Sequence, residues 1–140
     1  MTIDEELKII ADKNNGILLP KEVVEFAEDE KTLLHNEFEW DNTIAGFKFR
    51  LSQARNIIRL RVETIQHESQ EIIVRSYVSL STERGVNSYR KIKDVLNNED
   101  QKNIMLSDAK RELESIRNKY KVLKELSSVW DNIDKILKVG

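Results

Sequence analysis

DNTIAGFKFRLSQARNIIRLRVETI, Asp41 to Ile65, is the stretch whose reading decides the fold. Ile44, Phe47, Leu51, Ala54, Ile58, Val62 and Ile65 recur three or four residues apart, the spacing of one apolar stripe on a helix laid against a core. Lys48, Arg50, Arg55, Arg59 and Arg61 meet no acid between Thr43 and Val62, a local charge of +5. At about 100° per residue, Lys48, Arg55 and Arg59 line one flank of that stripe and Arg50 and Arg61 the other. His35-Asn-Glu-Phe-Glu-Trp40 leads into it as an aromatic, acidic segment.

Outward from this helix the charge changes sign. Met1 to Asn42 carries four lysines against twelve acids, a net of −8, although the whole chain is only −2. An acidic third beside a basic helix implies either self-complementary packing or a basic surface that the acidic part orients. The chain has 140 residues, 34 % of them charged, with one proline and no cysteine. One core without disulfide or zinc staples is therefore expected, in a reducing cytoplasm. The acidic start Met1-Thr-Ile-Asp-Glu-Glu and the lack of an 18-residue apolar run point away from secretion and from a membrane span.

Before the basic helix, residues 3 to 13 read as a first helix with Ile3, Leu7, Ile10 and Ala11 inward, stopped by Asn14-Asn-Gly16. Pro20 suits the first turn of a second, short helix containing Val23, Val24 and Phe26, which ends in Glu28-Asp-Glu30. Helix, short helix, connection, basic helix is the order of a helix-turn-helix, although the connection from Asp29 to Trp40 exceeds the usual three or four residues. The competing reading is structural: cations flanking an apolar stripe often lay their stems along it while their heads reach water.

After Glu63, Gln70 to Leu80 alternates as a strand, Ser81-Thr-Glu-Arg-Gly85 is a turn, and Val86 to Arg90 can return as a second strand. The pair reads as a plain hairpin or as a wing with Arg75, Arg84 and Arg90 at phosphates; a continued helix from Gln66 to Leu80 competes with both. Tyr89 to Asn97 is a short helix with Ile92, Val95 and Leu96 inward. From Glu99 the pattern is helical to the end. Leu106, Ala109, Leu113, Ile116, Tyr120 and Leu123 form a coiled-coil-like seam that falters near Leu126, before Trp130. The arm is one long helix, or a hairpin broken near Ser127-Ser128. Its stripe needs cover from the rest of the chain or from a second copy, which makes a homo-oligomer the expectation.

Chemistry is sparse. There is no phosphate-binding glycine loop, no zinc-protease signature and no thiol, so no catalytic residue, metal site or cofactor is expected. His35, Glu37, Glu39 and Asp41 alternate as ligands on an extended segment would, but Phe38 and Trp40 alternate with them, which an apolar face turned inward explains equally. His67 has only Glu68 beside it.

Gly16-Ile-Leu-Leu-Pro20, Val23-Val24, Leu34-His35, Phe38-Glu-Trp40-Asp41, Arg50, Gln53-Ala-Arg55, Ile58-Arg59, Val74-Arg75, Tyr77-Val-Ser-Leu-Ser81, Tyr89-Arg90 and Asp94-Val-Leu96 together resemble a family of small phage and prophage proteins of unknown function. The resemblance spans nearly the whole chain. It implies a cytoplasmic protein of a bacterial host cell that regulates phage DNA or engages a host factor, and it implies no catalytic residue.

The expected architecture is mainly α: an N-terminal three-helix, helix-turn-helix-like domain (1–66), a small central β-hairpin and short helix (67–98), and a long C-terminal helical, coiled-coil-like arm (99–140). The expected activity is DNA binding and regulation. Lys48, Arg50, Arg55, Arg59, Arg75, Arg84 and Arg90 would contact double-stranded DNA. The alternative is a module that binds and modulates, or inhibits, a host or phage protein through Glu28, Asp29, Glu30, Tyr120, Leu123 and Trp130.

Overall fold

The computed structural model describes residues 1–40 and 43–138. The fold is mainly helical, with small antiparallel sheets that include a hairpin, and ends in two C-terminal helices. No described helix is long and apolar enough to cross a membrane.

Helix α1 (Ile3–Lys13) starts on a reciprocal cap: the Thr2 side chain accepts from Glu5 N while the Glu5 side chain accepts from Thr2 N. It stops where Asn15 and Gly16 take positive φ, 54° and 83°. A side chain at Gly16 would also collide with the Asp94 carboxylate. Strand β1 (Ile17–Leu18) follows, then α2 (Pro20–Ala27), with Pro20 in the first turn. Leu7, Ile10, Ala11, Val23, Val24, Ala27 and Leu34 pack one core with Ala54 and Ile58 of α3 (Ile44–Arg59). Between α2 and α3 the chain is tied down by a buried carboxylate. Glu6 of α1 accepts the N–H groups of Leu33 and Leu34 at 2.7 and 2.9 Å, closing a 3-10 turn at Leu34–Glu37.

The basic helix is shorter than its sequence pattern, and it is turned. It ends at Arg59 because the β-branched run Val62, Thr64, Ile65 favours a strand. Val62 and Ile65, expected on the helical stripe, lie in β2 (Val62–His67). The buried row of α3 is Gly46, Arg50, Ala54 and Ile58, whereas Ile44 is 79 % exposed. Asp41 and Asn42, the start of the expected stretch, lie outside the described residues.

The hairpin also differs from the expected one. β2 pairs with β3 (Gln70–Arg75) through a two-residue turn, Glu68-Ser69, with φ 48° and 68°. Such a turn matches the natural strand twist and closes the shortest possible loop. Ser76 then divides the β-rich run. Its N–H donates to Arg61 O and its carbonyl accepts from Ile92 N, both at 2.9 Å. Beyond it, β4 (Tyr77–Val78) joins a separate sheet of order β1, β5, β4, in which β5 is Tyr89–Lys91. The hairpin thus crosses the expected 66/67 division, and β1 with β5 ties the N-terminal segment to the middle one. Helix α4 (Ile92–Leu96) buries Ile92 and Val95 but leaves Leu96 exposed.

The C-terminal arm folds back on itself. Helix α5 (Glu99–Tyr120), capped by Asn98, is followed by a bend at 121–126 and by α6 (Ser127–Lys138). Arg117 of α5 pairs with Asp134 of α6, and α6 buries Trp130 and Ile133. The seam is not covered along its length: Leu106, Ile116, Tyr120 and Leu123 are exposed. One buried polar contact holds α5 to the body, the Asp108 carboxylate accepting from Ser81 N at 2.9 Å.

Candidate nucleic-acid interface

The turn of α3 decides which of its cations face outward. Gly46 and Ala54 are small enough for close packing, and Trp40 shelters the one cation on the buried row. Arg50 is 8 % exposed, its guanidinium stands 5.1 Å from the centroid of the Trp40 ring, and Nη1 donates to Glu39 O at 3.2 Å. The ring is itself fixed. Trp40 Nε1 donates to His35 O at 2.9 Å, the His35 ring stacks on it at 4.8 Å, and His35 Nδ1 donates to Ala27 O at 2.8 Å. The aromatic, acidic lead-in is therefore a clamp on the side of α3 opposite its cationic face. Arg50 is removed from the expected contact set, because a side chain bound to Trp40 and Glu39 is not available to a phosphate. No group of three or more His, Cys, Asp or Glu side chains that could hold a metal ion occurs among the described residues.

With Arg50 inward, the opposite face of α3 carries Lys48, Ser52, Asn56 and Arg59, all exposed, and Arg55, half-buried at its edge. Arg59 Nη2 donates to Asn56 Oδ1 at 2.8 Å. Among the described residues no carboxylate lies within 4.0 Å of the nitrogens of Lys48, Arg55 or Arg59. Among the described residues the acidic N-terminal third forms its ion pairs elsewhere: Asp4 with Arg61 at 3.7 Å, Asp12 with Lys91, and Glu25 with Lys21 at 4.0 Å. Arg55, Arg59, Asn56, Ser52, Gln53 and Phe49, together with Tyr89 of β5, line a groove of about 470 Å³ without an acid. Phe49, Ser52, Gln53, Asn56 and Tyr89 were not expected there. The exposed members of α3 follow from helical spacing once Arg50 is taken as inward; Tyr89 arrives through the β1–β5 pairing, which leaves no local mark in the sequence.

The remaining expected contacts divide. Arg75, at the end of β3 opposite Val62, is exposed and has no carboxylate partner among the described residues. Arg90 is held by Glu83 in a two-pronged pair at 2.6 and 2.7 Å, which raises its already high pKa through that hydrogen-bonded partner. Arg84 lies 3.9 Å from Glu112. The hairpin tip, where a wing would meet a phosphate, carries Glu68 and Glu71 rather than cations. Of the alternative protein-binding residues, Glu28, Asp29, Glu30, Tyr120 and Leu123 are exposed, while Trp130 is buried between the arm helices and is withdrawn from that set. Asp29 also shapes its own loop, accepting from Lys31 N at 2.9 Å.

No protein-family profile, curated protein or solved structure matches the chain.

Proposed function

We propose that this is a DNA-binding regulatory protein of phage origin, in which α1, α2 and α3 act as a helix-turn-helix-like unit and the outward face of α3 meets double-stranded DNA. The observation that carries the reading is the composition of that face: Lys48, Arg55 and Arg59 without an ion-paired acid among the described residues, interleaved with Ser52 and Asn56. Cations of this kind position a helix on phosphates, and an exposed asparagine or arginine is suited to base edges in the major groove. The acidic N-terminal third supports the reading in that its ion pairs among the described residues, Asp4–Arg61 and Asp12–Lys91 among them, do not reach Lys48, Arg55 or Arg59. Arg75 adds one exposed cation at the base of β2–β3, and β2–β3 takes the place of a wing whose basic residue is at its base.

Fluorescence anisotropy of labelled duplex DNA tests this, with the wild type compared with an Arg55→Glu/Arg59→Glu variant at low and physiological salt. Salt-sensitive binding by the wild type, lost in a variant with an unchanged circular dichroism spectrum, is expected. Absence of binding, or equal binding by both proteins, overturns it. A second reading, a module that modulates a host or phage protein, is favoured by the exposed acidic run Glu28-Asp29-Glu30. It requires function without DNA affinity, and loss of that function on reversing those three charges.

A further inference from the structure

The two helices of the arm make a two-sided hairpin. Along one side Arg117, Lys121, Ser127, Asp131 and Asp134 line a polar cleft of about 370 Å³, crossed by the Arg117–Asp134 ion pair. The other side carries exposed apolar side chains, with the Lys119 ammonium 5.0 Å from the centroid of the Tyr120 ring at its edge. At about 100° per residue, Ile116 and Tyr120 on α5 and Val129 and Ile136 on α6 turn to that side, and Leu123 and Leu126 in the bend connect them. All six are between 39 and 46 % exposed. They present roughly 450 Å² of apolar surface, within the ~300–600 Å² of the largest patch on a monomer, which is often a functional one.

We infer that this face is the surface on which a second copy of the chain packs, two α5–α6 hairpins joining across a two-fold axis into a four-helix bundle. Three observations favour a second copy as the occupant. The area is the apolar share of the ~800 Å² that each partner contributes to a standard interface. Ile116 and Tyr120 stand four residues apart at the end of α5, on one face of the helix, so a helix with apolar residues at the same spacing fits them. The hairpin is also thin on its own: Trp130 and Ile133 are the buried side chains of α6, and α5 buries only Asp108 among the described residues. Two helices with so few buried contacts gain their stability from tertiary packing, and the partner hairpin supplies it. Two such chains present two α3 faces, as a symmetric operator requires.

Light scattering coupled to size exclusion tests this without DNA, so that its failure leaves the reading of α3 untouched. The wild type is expected at twice 16.4 kDa. Ile116→Lys/Ile136→Lys should fall to the monomer mass, and Asp131→Lys, on the polar side, should remain dimeric. Should the double lysine variant lose helicity by circular dichroism, Leu126→Ser serves instead, with a dissociation constant raised about tenfold or more. A monomeric wild type at the highest concentration reached overturns the inference. So does a dimer that survives Ile116→Lys/Ile136→Lys, or one whose dissociation constant Leu126→Ser leaves unchanged.

Discussion

Arg50 stands over the Trp40 ring, 5.1 Å from its centroid, and donates to the Glu39 carbonyl at 3.2 Å. This pair accommodates Arg50 on the buried row with Gly46, Ala54 and Ile58, which leaves Lys48 and Arg59 on the opposite, exposed face. Arg50→Ala removes the cation–π contact, a hydrogen bond made by a charged group, and the packing of the arginine stem. A loss of about 2–4 kcal/mol is expected, read as a lower midpoint in urea. Arg55→Ala and Arg59→Ala should each stay within about 0.5 kcal/mol of the wild type, as surface substitutions do. A destabilising Arg59→Ala beside a neutral Arg50→Ala would reverse the assignment of the two faces.

What the sequence disclosed about this region follows from the range of the interactions. The end of α1 was legible because Asn14-Asn15-Gly16 acts within one turn of the residues it terminates, whereas the Thr2–Glu5 cap at its start is seen in the fold. The early end of α3 had a local sign too, the β-branched run after Arg61. Its rotation did not, since a wheel ranks arginine as outward and cannot see a tryptophan ten positions earlier prepared to receive it. The pairing of β1 with β5 joins residues some seventy positions apart, and such register has no periodic trace. Of the candidate site, Lys48, Arg55 and Arg59 were readable as cations in a stretch without acids, whereas Arg75 lies in a charge-balanced segment and was named only as a contact of a wing. The engagement of Arg90 with Glu83 depends on a local fold that spacing alone does not specify.

Lys48 and Arg75 are exposed and have no carboxylate partner among the described residues. On the proposed reading each neutralises one phosphate and releases its counterions. The slope of log affinity against log salt should therefore become shallower by about 1 for Lys48→Ala and for Arg75→Ala, at similar cost to all duplex sequences. Arg90→Ala should instead lower stability by leaving Glu83 without its partner. Anisotropy titrations across a salt series separate the two classes, and an unchanged slope in Lys48→Ala would remove that residue from the interface.

Tyr77 is buried where β4 meets β5, and burial, with the charges of Asp4, Glu63 and Asp12 nearby, pushes its phenol up to about 12. The folded state thus holds this proton more tightly than the unfolded chain, whose tyrosines titrate near ~10. Stability from this source is fully present below pH ~10 and is lost as pH rises toward 12. Tyr77→Phe should flatten the decline of the denaturation midpoint over that alkaline window. A decline as steep in Tyr77→Phe as in the wild type would assign it to another group.

Asp108 couples the arm to the body at the opposite end of the pH scale. Burial resists ionisation of its carboxyl, but hydrogen bonds from the Ser81 side chain and N–H and the guanidinium of Arg111 outweigh that resistance, and the pKa falls below its ordinary value. A lowered folded pKa gives stability that is present above the ordinary carboxylate value of ~3.9 and is lost as pH falls through the folded one. Acid should therefore loosen α5 from the segment at Ser81 below pH ~4. Asp108→Ala should do so at neutral pH, with a cost of about 1.5–3 kcal/mol for a hydrogen-bonded charge. Hydrogen exchange is the direct readout, because Ser81 N–H donates to this carboxylate. Its protection should drop in Asp108→Ala while the core amides of α1 and α2 keep theirs. Equal loss throughout would mean that Asp108 supports the whole fold rather than the attachment of the arm.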